Sequence, residues 1–400
     1  MNIDAYSILI FLSVLVVLSY LFNFLAAKLR IPSVLLLIGS GVGLRYAGTY
    51  FSFELPPTAT LLEILGIIGL IFIVLEASLD LSIQREKLPL IARALASAAL
   101  LFAVTAGLIA LVFVEYFNAP FRQALVHAIP LSVISSAIAI PSVRDLTEIK
   151  REFIIYESTF SDIIGIIAFN YVAIETLSGT SALIGLSGDL ILIICISIIS
   201  TVALIFLLNH STTNVRFFLT LAILILIYSL AKFLHLPSLV LVLCFGLVLA
   251  NLGSFNFPFV RRLISIERVS EVAKELKLIT SETAFIIRTF FFLLFGYSIN
   301  VHLLLSAELL SLGAGIIVLS VLTRFIFLKY LLKSNAGLLA LIAPRGLITI
   351  LLFYSIPEKD RLESLSEGIL FVVILFTGIV MMIGLMLNQR SPVEKIEDVV

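Results

Sequence analysis

Charge is scarce in this chain. Only 13% of its 400 residues are Asp, Glu, Lys or Arg, while 61% are hydrophobic. Soluble domains carry about 25% charged and about 45–50% apolar residues, so a water-soluble globule is excluded. Polar stretches are short as well. The longest, near 261–277, leaves no room for a separate soluble domain. The formal net charge is zero, so no basic surface points to nucleic acid. Only two cysteines occur, Cys195 and Cys244, both within apolar runs. They form neither a disulfide framework nor a metal spacing, and read as small packing residues. No nucleotide loop or nucleophile triad stands out. "GSGVG" at 39–43 follows no strand, and its glycines suit close helix packing instead. No cofactor and no enzymatic activity are expected.

What the chain has in abundance is apolar runs of about 18 residues or more, which read as transmembrane helices. These runs do not alternate with period two, as β-barrel strands do. The fold expected is an all-α polytopic membrane protein of about 13 spans, at roughly 6–27, 32–49, 61–80, 90–116, 122–143, 152–176, 188–209, 215–234, 237–254, 278–300, 307–331, 335–356 and 368–387. The first run has no basic residue before it; Lys28 and Arg30 follow it. That pattern predicts a first span with its N-terminus outside, not a cleaved signal peptide. Alternating sides from there puts 18 Lys and Arg inside and 5 outside, with Arg288, Arg324 and Arg345 within spans. The bias supports a cytoplasmic C-terminus and a cell-membrane location.

An internal repeat is visible. "AKLRIPSVLLLIGSGVGL" and "AKFLHLPSLVLVLCFGLVLA" align Pro32 with Pro237; "IAIPSV" and "IAPRGL" align Pro141 with Pro344. Partners lie seven spans apart, an odd number, so they enter the membrane from opposite sides. This predicts two inverted six-helix repeats, about 6–176 and 215–387, linked by the span at about 188–209 within one transport domain. Proline in mid-span frees a carbonyl and disfavours helix before it. Pro141, Pro344 and Gly346 therefore predict paired broken helices crossing at the midplane.

A charge at the bilayer centre costs roughly 2.5–3.5 kcal/mol, so intramembrane charges are functional candidates. The stretch "IIYESTFSDIIGIIAFN" holds Glu157 and Asp162. Ser158 and Asp162 share a helix face; Glu157 and Ser161 share the next. Hydroxyl and carboxylate oxygens suit a hard metal cation such as Na⁺. A carboxylate binding either that cation or a proton couples the two by competition. The buried Arg345 needs a carboxylate, with Glu157 and Glu76 as candidates for a structural ion pair. Arg288 is a possible charge balancer. Arg324 is assigned no role. His127, His210, His235 and His302 are scattered near span ends, where an interfacial role suits them better than pH sensing.

These residues resemble a family, the monovalent cation:proton antiporter superfamily, nearest to bacterial sodium/proton exchangers of the NhaP type. "ESTFSD" is similar to the family's Glu-Ser-x-x-Asn-Asp motif, and "APRGLITILLFYSIP" to its arginine-glycine segment. "VLEASLDLS" and "FFFLLFGYSIN" resemble two further segments, the first placing Glu76 on an acidic position. The resemblance implies Asp162 as the shared cation and proton site, helped by Ser158, Ser161 and the carbonyl of Ala139. It also implies a homodimer working as an elevator. Ser161 replaces the family's usual Asn, and Ala139-Ile140-Pro141 replaces Thr-Asp-Pro. The expected function is exchange of Na⁺ or Li⁺, or K⁺, for protons. Alternatives are an uncoupled cation pathway and a non-transporting subunit that binds a partner.

Overall fold

In a computed structural model the described residues are 5–29, 31–51, 58–81, 85–143, 146–174, 195–196, 198–200, 203, 216–233, 238–251, 266–299, 306–330, 336–362 and 365–388. Among them every regular element is helical. The helices are α1 (Ala5–Leu29), α2 (Ser33–Phe51), α3 (Thr58–Asp80), α4 (Leu88–Phe117), α5 (Phe121–Ser132), α6 (Ser136–Ser142) and α7 (Glu148–Ile174). They continue with α8 (Arg216–Phe233), α9 (Ser238–Asn251), α10 (Ile266–Ser298), α11 (Ala307–Tyr330), α12 (Ala336–Leu341), α13 (Leu347–Tyr354) and α14 (Gly368–Asn388). The span expected at about 188–209 lies almost wholly outside the described residues.

Among the described residues, five segments are long and apolar enough to cross a membrane: Leu88–Phe117, Phe121–Ser142, Ala273–Ser298, Ala307–Tyr330 and Gly368–Leu387. Their exposed surface is apolar too. Leu310, Val318, Leu322 and Ile326 are exposed on α11, and Ile10, Val14, Val17, Leu21 and Phe24 form an exposed stripe on α1. Hydrocarbon tolerates such faces where water does not. The polar stretch near 261–277 is helical from Ile266 onward, continuous with α10. Its Glu, Lys, Leu and Ala residues are good helix formers, so helix persists beyond the apolar run.

The chain forms two compact units. One holds residues 1–66, 94–165 and 286–400; the other holds 67–93 and 166–285. In the second, Ala231, Val240 and Leu241 form a buried cluster that Ile167, Ile196 and Cys244 pack against. Lys277 pairs with Asp80 at 2.7 Å, and Asn251 donates to the Leu81 carbonyl at 2.9 Å. In the first, α2 and α10 touch backbone to backbone. A Cβ at Gly41 would strike Leu293 and Tyr297, and one at Gly296 would strike Ile38. Gly39 and Gly43 face open space, so Gly41 is the member of "GSGVG" that the packing requires. Arg45, one turn beyond Gly41, donates to the carbonyls of Tyr297, Ser298 and Ile299 at the end of α10. These are the carbonyls a helix end leaves without intrahelical partners.

Candidate functional site

Two interrupted helices meet in the first unit. α5 stops at Ser132 and α6 starts at Ser136, with residues 133–135 between them; α12 stops at Leu341 and α13 starts at Leu347. Pro344 and Gly346 lie in the second interruption. Pro141 does not lie in the first: it sits inside α6, one residue before that helix ends. The reason is local. A proline this close to a helix end removes one intrahelical bond, the one to Ala137, and the helix terminates anyway. The interruption instead falls on "VISS", where serines and β-branched residues compete with helix.

Three N–H groups there find partners outside their own helix. Ile134 donates to Ser161 Oγ at 2.9 Å, Ser135 to the Pro344 carbonyl at 2.8 Å, and Ser136 to Asp162 Oδ2 at 3.2 Å. In return Arg345 Nε donates to the Leu131 carbonyl at 2.6 Å, near the end of α5. Each interruption thus supplies what the other lacks. At the second, Arg345 N–H donates to Thr377 Oγ1 at 3.0 Å. Gly346 is extended, and a Cβ there would collide with Ser135. The first unit therefore holds a crossing of bare backbone, with α5 packed against α13 beside it.

Asp162 reaches this crossing from α7. It is 4% exposed, and its Oδ2 accepts from both the N–H and the hydroxyl of Ser136, the latter at 2.5 Å. Its Oδ1 is buried with no hydrogen-bond partner, and so is Ser135 Oγ. A buried polar oxygen left unsatisfied costs about 1–3 kcal/mol, which marks both atoms as ligand-facing candidates. Ser158, one turn before Asp162, is fully buried and donates to the Ile154 carbonyl at 2.7 Å, leaving oxygen lone pairs for other partners. Ser161 holds Ile134, so its oxygen stabilises the interruption. Ala139 lies within α6, and the backbone N–H that reaches Asp162 is that of Ser136.

Glu157 also departs from expectation. Its carboxylate takes a two-pronged pair from Arg324, Nη1 to Oε1 at 3.0 Å and Nη2 to Oε2 at 2.5 Å, with Ser97 Oγ donating to Oε1 at 2.5 Å. Arg324 Nε also donates to the Leu339 carbonyl at 2.8 Å. The fork of a guanidinium matches a carboxylate edge, so α4, α7 and α11 are tied at one point. Arg345 is not the partner of Glu157. Its guanidinium donates to the carbonyls of Leu131 and Ala343, placing positive charge where two half-helices end. Glu76 is half-buried in α3, within the other unit. Arg288 is half-buried in α10, and Glu282 is exposed.

Three site residues are not singled out by local sequence pattern: Ser97, Ser135 and Ser136. Arg324 stands out as a lone charge in "VLTRFIF", but its role does not. Which partner each takes depends on contacts across the chain, which no local pattern encodes. Among the described residues no three His, Cys, Asp or Glu side chains gather as a transition-metal site would. The oxygens at the crossing suit an alkali cation or a proton.

Comparison with known proteins shows the fold and the family. Two structures of the sodium proton antiporter MjNhaP1 from Methanocaldococcus jannaschii share the fold. One, determined at pH 8, is 18% identical with TM-score 0.63, covering 94% of this chain and 95% of that one. The other, from electron microscopy, is 19% identical with TM-score 0.63, covering 96% of each. No curated protein sequence matches the chain. A sequence model of the family described as sodium/hydrogen exchanger, transmembrane, matches residues 12–389. With nearly its whole length matched, the chain belongs to the transmembrane sodium/hydrogen exchangers, within the monovalent cation:proton antiporter superfamily.

Proposed function

We propose that the chain exchanges a monovalent cation, Na⁺ or Li⁺ with K⁺ as a further candidate, for protons, with Asp162 as the shared site. The observation that carries this reading is the Asp162 carboxylate itself: buried at the crossing, one oxygen held by Ser136, the other without a partner. A proton or a cation on Oδ1 would satisfy it, and the two exclude each other. Ser135 and Ser158 are the neighbouring hydroxyls suited to complete a cation shell, with Ser136 and Ser161 fixing the geometry.

Glu157 is matched by Arg324, which leaves Asp162 as the carboxylate that changes occupancy. One proton then exchanges for one cation, and each turnover moves no net charge. Arg345 stays as a fixed positive charge beside the site. Alternating access by an elevator motion, a homodimer in the cell membrane, an external N-terminus and a cytoplasmic C-terminus complete the proposal. It rests on the family and on the bias of basic residues in the sequence.

Proteoliposomes with a pH dye inside test it. Adding Na⁺, Li⁺ and K⁺ in turn against an imposed proton gradient moves protons with wild type and not with Asp162→Asn. Absence of movement with every cation across pH 6 to 9, from folded protein, removes antiport as the function.

A further inference from the structure

His127 sits in α5, and no part of the exchange chemistry uses it. It is 2% exposed, and both ring nitrogens are engaged. Nδ1 lies 2.8 Å from the Gln123 carbonyl, one turn back on α5. A carbonyl only accepts, so Nδ1 carries the hydrogen. Nε2 lies 3.3 Å from the backbone N–H of Leu362, which only donates. Nε2 is therefore a bare acceptor, and the two contacts together specify the neutral ring in a single tautomer.

Leu362 belongs to the segment that follows α13, and α5 holds that segment at two further points. Arg122 pairs with Asp360 at 3.4 Å, and Gln123 Nε2 donates to the Lys359 carbonyl at 3.3 Å. The Phe353 ring of α13 packs edge-on to the imidazole at 5.7 Å between centroids. The charged groups acting on the ring are Asp360, which is 4% exposed, and Arg361, which is exposed, with Arg122 on its own helix. Tyr354 of α13 is turned to Glu367. α5 and α13 are the half-helices that run to the crossing, so this clasp joins the far ends of the pair whose near ends frame Asp162.

We propose that His127 is a proton-operated clasp on these two half-helices. Neutral, it accepts from Leu362 and holds the segment after α13 against α5. Protonated, Nε2–H faces Leu362 N–H, two donors with no acceptor between them, and that contact opens. On the orientation proposed above the clasp lies toward the outer side, so external acid is what operates it.

Hydrogen exchange on the full-length protein in lipid nanodiscs tests this without needing transport. The readout is protection of the amides at 359–362, corrected for the intrinsic pH dependence of exchange. Wild type loses about tenfold or more in protection from pH 8 to pH 5, an opening of that segment alone. His127→Gln, which cannot titrate, shows no such pH response. Asp162→Asn keeps the wild-type response, because the clasp does not depend on the exchange site. Equal wild-type protection at the two pH values overturns the proposal. So does a His127→Gln protein that responds as wild type does, or an Asp162→Asn protein that has lost the response.

Discussion

Asp162 and Glu157 lie five residues apart on α7 and are both buried, yet their surroundings give them opposite parts. Glu157 has a guanidinium on both oxygens and a serine besides; Asp162 has one serine on one oxygen. Removing one member of a buried pair strands the other charge, at a cost of about 3–5 kcal/mol. Arg324→Met therefore lowers the thermal unfolding midpoint of the detergent-solubilised protein far more than the paired change Arg324→Met with Glu157→Leu. Similar midpoints for the two proteins would show that the pair is not structural. At Asp162 the matching experiment is Ser136→Ala, which removes the 2.5 Å hydroxyl contact. A hydrogen bond to a charged group contributes about 1.5–3 kcal/mol, so the cation concentration for half-maximal exchange rises by about tenfold or more while the protein stays folded. An unchanged value would place Ser136 outside the site.

Much of this is legible in the sequence at residue scale. A charge in an apolar run announces itself, so Glu157, Asp162 and Arg345 stand out from the amino-acid order alone. Pairing does not. Arg324 lies 167 positions from Glu157, and only the packing of α11 against the chain brings them together.

At the scale of elements, the two interrupted helices show how far proline can be trusted. Pro344 stands in its interruption, flanked by Gly346. Pro141 stands in a helix, and the interruption lies at 133–135, where tertiary partners take the free N–H groups. Local chemistry marks where a helix can break; partners across the fold decide where it does. The α2–α10 contact makes the same point about glycine. Gly39, Gly41 and Gly43 are alike in sequence, but only Gly41 meets backbone. Gly41→Leu therefore disrupts the contact and lowers the yield of folded protein in size-exclusion chromatography, whereas Gly39→Ala is tolerated. Equal behaviour of the two substitutions would contradict the packing described.

At the scale of the whole molecule, the proposed exchange is a statement about charge. One carboxylate changing occupancy, with Glu157 matched and Arg345 fixed, moves one cation against one proton. Moving one net charge through 100 mV involves about 2.3 kcal/mol, which is about a 50-fold shift in the gradient reached at equilibrium. Electroneutral exchange shows none of this. An imposed membrane potential of either sign leaves the final pH gradient in proteoliposomes unchanged, and a dependence approaching 50-fold would require a second carrier of charge.

The central claim is that a proton and a cation compete for one carboxylate. Proton release on cation binding tests it most directly, in weakly buffered detergent solution, near the pH at which half the sites are protonated. Titrating Na⁺ or Li⁺ into wild type releases protons in step with cation bound, up to the protonated fraction of one site per chain, and Asp162→Asn releases none. Cation binding to wild type with no proton release would contradict the account, because the two ligands would then occupy separate sites.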